Sequence, residues 1–188
     1  MPGARIERGE RVTLRTLERE DIPFLQRAYA NPEIRYPLGT PLKNEEQLVE
    51  WNDDEDTDQF LVCLDEDDAA PGHPDEDDVR PVGAVFVEDA SWRRPELVYW
   101  LVPEVRGEGY GKEAVSLVID YVFRVYDRPA VGAGAYDFNE ASRGLLKSLG
   151  FAEEGRIRKD RFIDGEYVDT VNYGLLREEW RTRDEESH

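Results

Sequence analysis

Three glycines at alternate positions, Gly107, Gly109 and Gly111, lie between an apolar segment and a stretch of helical character. The segment before them, residues 97–102, carries Val, Tyr and Trp and predicts a buried strand, which Pro103 ends. A strand, a glycine turn and a helix N-terminus aim several backbone N–H groups at one point, and the helix dipole adds positive potential there. The chemistry that this pattern predicts is the binding of a phosphate group.

The residues around these glycines narrow the kind of phosphate site. A nucleotide P-loop needs Ser or Thr directly after its Gly-Lys pair, but Lys112 is followed by Glu113, and the spacing from Gly107 is one residue short. The dinucleotide fingerprint fails as well, because the third glycine comes too early. The pattern that fits is R-x-x-G-x-G, from Arg106 to Gly111. Taken alone, the segment is also compatible with a glycine-rich turn that binds nothing.

The composition limits the class of protein. The chain of 188 residues is long enough for one well-buried domain, residues 1–188, and two full domains are not expected. Its net charge of -19 argues against a general nucleic-acid or anionic-membrane binder, because polyanions would be repelled. Lysine occurs only four times beside 43 acidic residues, which favours a halophilic protein of a salt-rich cytoplasm over an ordinary acidic bacterial enzyme.

The single cysteine, Cys63, excludes an intrachain disulfide, and its apolar neighbours indicate a small buried hydrophobe and not a nucleophile. No apolar run is long enough to span a bilayer, and the N-terminus lacks the apolar core of a signal peptide, so we expect a cytoplasmic protein. His73 and His188 lie in an acidic stretch and at the terminus, and the sequence therefore predicts no metal site.

The hydrophobic pattern predicts a mixed α/β order of elements, with a central sheet of about six to seven strands flanked by helices. Its parallel crossover is expected at the glycine turn, between the fourth and fifth strands. The predicted strands cover residues 11–17, 59–64, 82–87, 96–102, 130–136, 151–157, 161–163 and 167–175.

Helices are predicted where apolar residues recur on one face and where Asn-Pro or Gly ends the pattern. The segments are residues 20–31, 45–51, 112–125 and 139–149. Between them, residues 32–41 predict a connection without regular structure. Residues 65–78 are almost all Asp, Glu, Pro, Gly and Ala and predict a mobile acidic loop that buries no apolar face. Residues 178–188 predict a charged C-terminal tail that frays.

Several short motifs follow one another in an order that is typical of one enzyme family. Over nearly the whole chain they resemble the RimJ/RimL-type branch of the GNAT superfamily of N-acetyltransferases, although each is weak alone. The motifs are Leu14-Arg15-Thr16-Leu17, Asn31-Pro32-Glu33, Tyr99-Trp100-Leu101 with residues 106–111, Glu113-Ala114, Asn139-Glu140-Ala141-Ser142, Leu149-Gly150-Phe151, Tyr173-Gly174-Leu175-Leu176 and Glu179-Trp180.

The resemblance implies an acetyl-CoA-dependent enzyme that transfers the acetyl group directly, in a ternary complex, to a primary amine. The acceptor would be a protein N-terminus, such as that of a ribosomal protein, or a small molecule. Neither nucleic acid nor membrane is implied as a partner, and we expect a monomer or a homodimer. A CoA-binding regulatory module without turnover is an alternative, and a nucleotide-binding protein is disfavoured by the missing Ser or Thr.

The resemblance also implies where acetyl-CoA (CoA) binds. The fourth and fifth strands of this fold splay apart, and the pantetheine arm lies in the wedge along the backbone of Leu101 and Val102. Asn139 matches a family position that contacts the cofactor, although an Asn there also fits a helix N-cap. The pyrophosphate is expected on Arg106, Gly107, Glu108, Gly109, Tyr110, Gly111 and Lys112.

Ser142 and Glu96 are the candidate catalytic residues. Many GNAT members use a tyrosine on the short helix to protonate the leaving thiolate, but Leu146 occupies the matching position, so Ser142 is expected to hydrogen-bond the sulfur instead. Glu96 begins the fourth strand, where partial burial would raise its pKa and suit it to deprotonate an amine. A surface hydroxyl and an exposed strand-end carboxylate are the alternatives. Candidates to line the acceptor site are Tyr36, Trp51, Trp92 and Tyr99, although core packing is the preferred interpretation of Tyr99 and Trp51.

Overall fold

A mixed sheet of eight strands forms the centre of the protein. The computed structural model describes residues 2–52, 56–66, 69–72, 74–91 and 94–186. Its strands are β1 (Arg5–Arg8), β2 (Thr13–Thr16), β3 (Asp58–Asp65), β4 (Val79–Glu88), β5 (Glu96–Leu101), β6 (Ala130–Tyr136), β7 (Ala152–Ile163) and β8 (Glu166–Leu176). They are arranged in the order β1-β2-β3-β4-β5-β6-β8-β7. β5 and β6 run parallel, and the other neighbouring pairs are antiparallel.

Helices cover both faces of this sheet. They are α1 (Ile22–Ala30), α2 (Pro32–Leu38), α3 (Glu45–Asn52), α4 (Tyr110–Val125), α5 (Glu140–Ser148) and α6 (Arg177–Glu186). One buried cluster joins α1, α2 and α3 to the sheet through residues such as Leu25, Ile34 and Leu48. A second cluster joins α4 and α5 to the opposite face through residues such as Ile119 and Leu146. We call these the α1–α3 face and the α4–α5 face.

The side chains of β5 alternate between the two faces, as the period of a strand requires. Val98 and Trp100 pack in the cluster of the α1–α3 face. Leu97, Tyr99 and Leu101 pack in the cluster of the α4–α5 face. This alternation decides which side of the sheet each residue of β5 can serve.

β5 and β6 diverge from a single point of contact, which confirms the expected splay. Within the described residues, only Glu96 and Gly132 are registered across this pair. The Gly132 N–H also donates to the Pro95 carbonyl at 2.8 Å. Towards their C-terminal ends, the two strands are no longer paired with each other, and a gap opens between them. The link from β5 to β6 is α4, whose apolar face is buried against the sheet.

The strand count exceeds the predicted six to seven because β1 has only four residues, three of them charged, and gave no apolar signal. Most predicted strands and helices agree with the structure within a few residues. The segments 151–157 and 161–163, however, form one strand, β7, which is interrupted by register shifts between Glu153 and Gly155 and between Ile157 and Arg161.

The predicted connection over residues 32–41 is wrong, because most of it forms α2. Asn31 caps this helix by accepting from the Glu33 N–H at 3.0 Å, and Gly39 ends it in the left-handed region at φ 61°. Pro32 occupies the first turn, where its missing N–H would have no helical acceptor in any case. Prolines in a sequence predict the end of a helix, but Pro32 favours the start of α2.

The acidic segment 65–78 does bury part of its length, contrary to the sequence prediction. Ala69 is 5% exposed within the cluster of the α1–α3 face. The guanidinium of the fully buried Arg15 donates to Asp65 Oδ2 at 2.7 Å and to the Ala70 carbonyl at 2.9 Å. These contacts hold the start of the segment against β2. They could not be predicted from the apolar pattern of the segment, because they depend on Arg15 of β2.

The predicted fraying of the tail is also wrong for its first turns. The chain forms α6 from Arg177, and Trp180 is 5% exposed. The Trp180 indole N–H donates to Asp120 Oδ1 on α4 at 2.6 Å. One aromatic residue therefore anchors a helix whose other residues are mostly charged.

Candidate active site

A cleft of about 710 Å³ occupies the gap between β5 and β6. All six residues of β5, residues 96–101, line it, and residues 97–101 alternate between the two faces of the sheet. The cleft therefore passes through the sheet and opens on both sides. We call its two walls the glycine side, made by Gly107, Gly109 and Gly111, and the carboxylate side, made by Glu88, Glu96, Tyr136 and Asp160.

The glycine side presents backbone to the cleft. Gly107 and Gly109 have φ values of 85° and 86°, which L side chains rarely adopt. The helix α4 begins directly afterwards at Tyr110, and its first backbone hydrogen bond runs from the Glu113 N–H to the Gly109 carbonyl at 3.2 Å. The N–H groups before Glu113 have no intrahelical acceptor, so they are available to an anion at the positive end of the helix dipole.

Arg11 supports this loop from the loop before β2. Its guanidinium donates to the Glu108 carbonyl at 2.6 Å and lies over the Tyr110 ring, 5.2 Å from the ring centroid. The Glu113 carboxylate accepts from the backbone N–H groups of Arg11 at 2.8 Å and Val12 at 3.2 Å. Glu113, the residue that departs from the P-loop pattern, thus joins the helix to the N-terminal segment. Sequence reasoning missed Arg11, because 97 residues separate it from Glu108.

Arg106 connects the end of β5 to α2. Its exposed guanidinium donates to the Leu101 carbonyl, at 2.9 Å from Nη2, and to the Glu33 carbonyl at 3.2 Å. The Val102 N–H donates to the Val82 carbonyl at 2.8 Å, so this amide is used within the sheet. Of the predicted cofactor residues, Val102, Glu108 and Tyr110 do not line the cleft in the described structure. Those that line it are Leu101, Arg106, Gly107, Gly109, Gly111, Lys112 and Asn139.

A pair of hydroxyl groups meets on the α4–α5 side of the cleft. The Tyr99 hydroxyl lies 2.8 Å from Ser142 Oγ. The backbone of Ser142 is fixed by Asn139, whose side-chain oxygen caps α5 by accepting from the Ser142 N–H at 3.1 Å. Asn139 therefore fills the N-cap role that its sequence position allowed, and it also lines the cleft.

Burial raises the pKa of Tyr99 to about 12, while the hydrogen bond from Ser142 opposes this shift. Both hydroxyls are therefore protonated at neutral pH and form a short donor–acceptor chain. Leu146, in contrast, is fully buried in the core and does not line the cleft. Sequence reasoning assigned Tyr99 mainly to packing, although its alternation with Leu97 and Leu101 placed it on the same face as α5.

Glu96 lies at the point where β5 and β6 meet. Burial raises its pKa to about 7, an effect that the nearby Arg94 opposes. Glu88 is its direct partner on β4, so two carboxylates stand side by side on the α1–α3 face. A Cβ added at Gly132 would overlap the Glu96 carboxylate, so that carboxylate lies against bare backbone.

The far part of the carboxylate side comes from the hairpin of β7 and β8. Asp160 accepts from the Thr170 hydroxyl at 2.7 Å and lies 3.7 Å from Arg161. Burial raises the pKa of Tyr136, which lies beside these charged groups. None of these residues was predicted, because single charges in an exposed hairpin carry no distinguishing sequence signal.

Two of the predicted acceptor-site aromatics, Tyr36 and Trp51, do not line the cleft in the described structure. Trp51 packs against Phe86, with ring centroids 4.8 Å apart, and Trp92 lies outside the described residues. Burial raises the pKa of the Cys63 thiol, in keeping with the hydrophobic role expected for it.

Among the residues that the structure describes, no three His, Cys, Asp or Glu side chains are grouped to hold a metal ion. In the same part of the chain, no helix combines the length and apolar character needed to cross a membrane.

Residues 11–152 match the family described as acetyltransferase (GNAT) domain, which covers most of the chain and includes both the glycine side and α5. The chain belongs to this family. Its cleft passes through the sheet between two parallel strands that splay apart, in agreement with the architecture that the resemblance implied.

Several N-acetyltransferases are similar to this chain over nearly its whole length. An uncharacterized N-acetyltransferase, YokL, of Bacillus subtilis is 28% identical over 179 residues, which is 92% of this chain and 93% of the relative. Spermidine N(1)-acetyltransferase of Escherichia coli is 26% identical over 176 residues, which is 90% of this chain and 88% of the relative. The crystal structure of spermidine N-acetyltransferase from Vibrio cholerae, in complex with CoA and spermine, has a TM-score of 0.78 and 24% identity, covering 92% of this chain and 99% of that one.

The protein is thus an N-acetyltransferase that acts on amines and uses acetyl-CoA. The glycine side fits that cofactor by its own geometry, because left-handed glycines and a helix N-terminus leave N–H groups facing a cleft without intervening side chains.

Proposed function

We propose that this enzyme acetylates a primary amine of a small cationic molecule, with Glu96 as the general base and Ser142, held by Tyr99, beside the departing thiolate. The observation that carries the proposal is the division of one cleft into a backbone-built anion site and a wall of carboxylates. Glu88, Glu96 and Asp160 favour a cationic acceptor through charge complementarity. The names of the spermidine acetyltransferases support the same choice over a protein N-terminus.

The acceptor must lose a proton before it can attack, because an ammonium has no free electron pair. Glu96 suits this task, since its pKa of about 7 leaves the carboxylate ionised and basic at slightly alkaline pH. Its place on the α1–α3 face, opposite Glu88, brings the base to the wall that favours the cation. Glu88 and Asp160 would orient the molecule without taking part in the proton transfer.

On the α4–α5 side, Tyr99 and Ser142 are hydrogen-bonded to each other, and the hydroxyl of this pair whose proton is not used between them would donate to the departing thiolate. Acetyl-CoA, when bound, supplies the activated acetyl group as a thioester. The residues that would hold it are the backbone of Gly107, Gly109 and Gly111, with charge from Arg106 and Lys112. Asn139 keeps Ser142 in place through the cap of α5.

Further features of the proposal concern the protein as a whole. We place the enzyme in the RimJ/RimL-type branch, with residues 1–188 forming a single acetyltransferase domain and the site carried by one chain. The charge of -19 and the scarcity of lysine support a salt-rich cytoplasm as its environment. Unfolding measured at low and at molar KCl tests this, and a protein that gains no stability with salt would contradict it.

The central test is thermal unfolding in molar KCl with and without acetyl-CoA, followed by an acetylation assay with di- and polyamines, monoamines and an N-terminal peptide. Binding to the folded state must raise the unfolding temperature. In Gly109→Glu the rise should be lost, because a side chain and a negative charge enter the loop. Gly72→Glu, at an exposed position where an added Cβ meets nothing within 4 Å, is the matched control and should keep the rise.

A rise in the wild type together with acetylation of the di- and polyamines would support the proposal. Preference for the peptide would overturn the choice of acceptor. A rise of the unfolding temperature without turnover of any amine would favour the regulatory CoA-binding module. The presence of Leu146 in place of the helix tyrosine supports that alternative.

A further inference from the structure

Arg94 and Glu154 lie beside Glu96 on a strip of bare backbone. Gly132 of β6 and Gly174 of β8 are direct register partners. A Cβ at Gly132 would overlap the Glu96 carboxylate, and a Cβ at Gly174 would overlap both the Arg94 guanidinium and the Glu154 carboxylate. Two adjacent glycines thus bring three charged groups from different parts of the chain close together against the sheet.

The position of Glu154 depends on a β-bulge. In the pairing of β7 with β8, Glu153 faces Tyr173 and Gly155 faces Asn172, so Glu154 is the extra residue. Bulges redirect a side chain and are common next to active sites. Here the bulge allows Glu154 Oε2 to approach Arg94 Nη1 at 2.6 Å.

Arg94 is held firmly but its charge is incompletely paired. Its Nη2 donates to the Tyr173 carbonyl at 3.0 Å, and its Nη1 pairs with Glu154. Its Nε is buried without a hydrogen-bond partner among the described residues. Part of the guanidinium's charge therefore remains to act on Glu96, on which Arg94 has the largest effect of any neighbouring charge.

We propose that the Arg94–Glu154 pair is a positioning device that sets the ionisation of Glu96 and so the pH range of the enzyme. The inference depends on the proposed function for the role of Glu96 as base. Arg94 favours the ionised carboxylate, whereas Glu154 weakens Arg94 and adds a negative charge of its own.

The groups that act on Glu96 come from every element packed around it. Arg94, which precedes β5, lowers its pKa, and Asp89 after β4, Glu88 on β4 and Glu154 on β7 raise it. Burial raises it more than any of these. The two partners of this ion pair have opposite effects on Glu96. Removing Arg94 should therefore raise the pKa of Glu96, and removing Glu154 should lower it.

The test uses Arg94→Gln, Glu154→Gln and the conservative Arg94→Lys, with Arg27→Gln on the exposed side of α1 as a control for net charge. The pKa of Glu96 is read directly from the carboxyl ¹³C resonance of labelled glutamate, identified by its absence in Glu96→Gln. In Arg94→Gln the pKa should rise by about one unit, the lower end of the effect of a neighbouring opposite charge. In Glu154→Gln it should fall, and in Arg94→Lys and Arg27→Gln it should stay near the wild-type value.

The pH profile of kcat/KM is measured on the same variants. The acid limb of the profile should move with the resonance, while the plateau at high pH changes little. If the pair had a merely structural role, its removal would lower the plateau instead. Thermal unfolding of each variant confirms that it is folded.

A resonance that stays in place in both Arg94→Gln and Glu154→Gln, or moves in the same direction, overturns the inference. If the resonance moves as expected but the acid limb does not follow, the pair still sets the ionisation of Glu96, whereas its control of the pH range and the assignment of Glu96 as the base both fail. The two readouts thus separate the two claims.

Discussion

The two walls of the cleft are built in different ways. The glycine side comes from one continuous segment, residues 106–112, and presents backbone groups whose direction is set by two left-handed glycines and a helix start. The carboxylate side is assembled from side chains on β4, β5, β6 and the β7–β8 hairpin. A wall made of backbone depends little on any single side chain, whereas a wall made of side chains depends on each of them. Mutations at the two walls should therefore differ in size and in which kinetic constant they change.

The largest effect is expected for Glu96→Gln. At pH 8 the replacement should lower kcat by about 10²- to 10³-fold, because it removes the proton acceptor while leaving the cleft filled. Binding of acetyl-CoA, measured by calorimetry, should change less than about twofold, since the glycine side is untouched. In the wild type, activity should fall about tenfold per pH unit below pH 7, because protonation of a base with a pKa of about 7 removes the active form. An unchanged acid limb in Glu96→Gln would show that another group is the base.

A smaller effect is expected at the hydroxyl pair. Ser142→Ala and Tyr99→Phe should each lower kcat by about tenfold, the size expected for one hydrogen bond to a charged group. Because the two hydroxyls form one chain, the double variant should be no slower than Ser142→Ala alone. Ser116→Ala, on α4 and outside the cleft, is the control. If the effects of Ser142 and Tyr99 multiply instead, the two residues do not act together.

Asp160→Asn should change the preference among acceptors. We expect KM for a diamine to rise about threefold to tenfold, with kcat and the KM of a monoamine nearly unchanged, because Asp160 would contact only the distal ammonium. Glu166→Gln, exposed near the end of the same hairpin and outside the cleft, removes the same charge and is the matched control. Equal changes for both amines would indicate that Asp160 acts on the shape of the hairpin and not on the second charge.

The smallest effect is expected on the glycine side. Lys112→Gln should weaken acetyl-CoA binding only about threefold, since a single exposed charge at a helix N-terminus contributes little beside the backbone amides. Lys147→Gln, which lies on α5 outside the cleft, should change nothing. A loss of binding as large as that expected for Gly109→Glu would mean that Lys112, and not the loop backbone, provides most of the affinity.

The same contrast explains how much of the site could be predicted from the sequence. The three glycines that were predicted to form the phosphate loop line the cleft, whereas Glu108 and Tyr110 between them do not, because alternate glycines are a local signal but the direction of a side chain is not. Glu96 and Ser142 were found through their places in local motifs, and both line the cleft. Arg11, Arg94 and Asp160 were missed, since each acts on residues far away in the chain and an arginine or aspartate in an acidic, arginine-rich sequence has no local signature.

In the fold, long elements with a strong apolar period were predicted well, as for α4. The errors lie where one contact overrides a weak pattern. Trp180 anchors a helix that its charged neighbours did not predict, and the Asn31 cap with Pro32 begins a helix in a segment that resembled a turn. β1 pairs with β2 although its own side chains alternate only between half-buried and exposed.

The single point of pairing between β5 and β6 has a mechanical consequence. The strands β1–β5 and β6–β8 are two halves of a sheet, each continuous in sequence, and almost no backbone hydrogen bonds cross between them in the described structure. The packing of α4, whose Val115, Val118 and Val122 are fully buried, joins the halves together with side-chain contacts such as those of Arg94 with Tyr173 and Glu154. Side-chain packing of this kind permits small sliding movements that a ladder of hydrogen bonds resists. We therefore expect the width of the cleft between β5 and β6 to depend on the volume of these buried valines of α4.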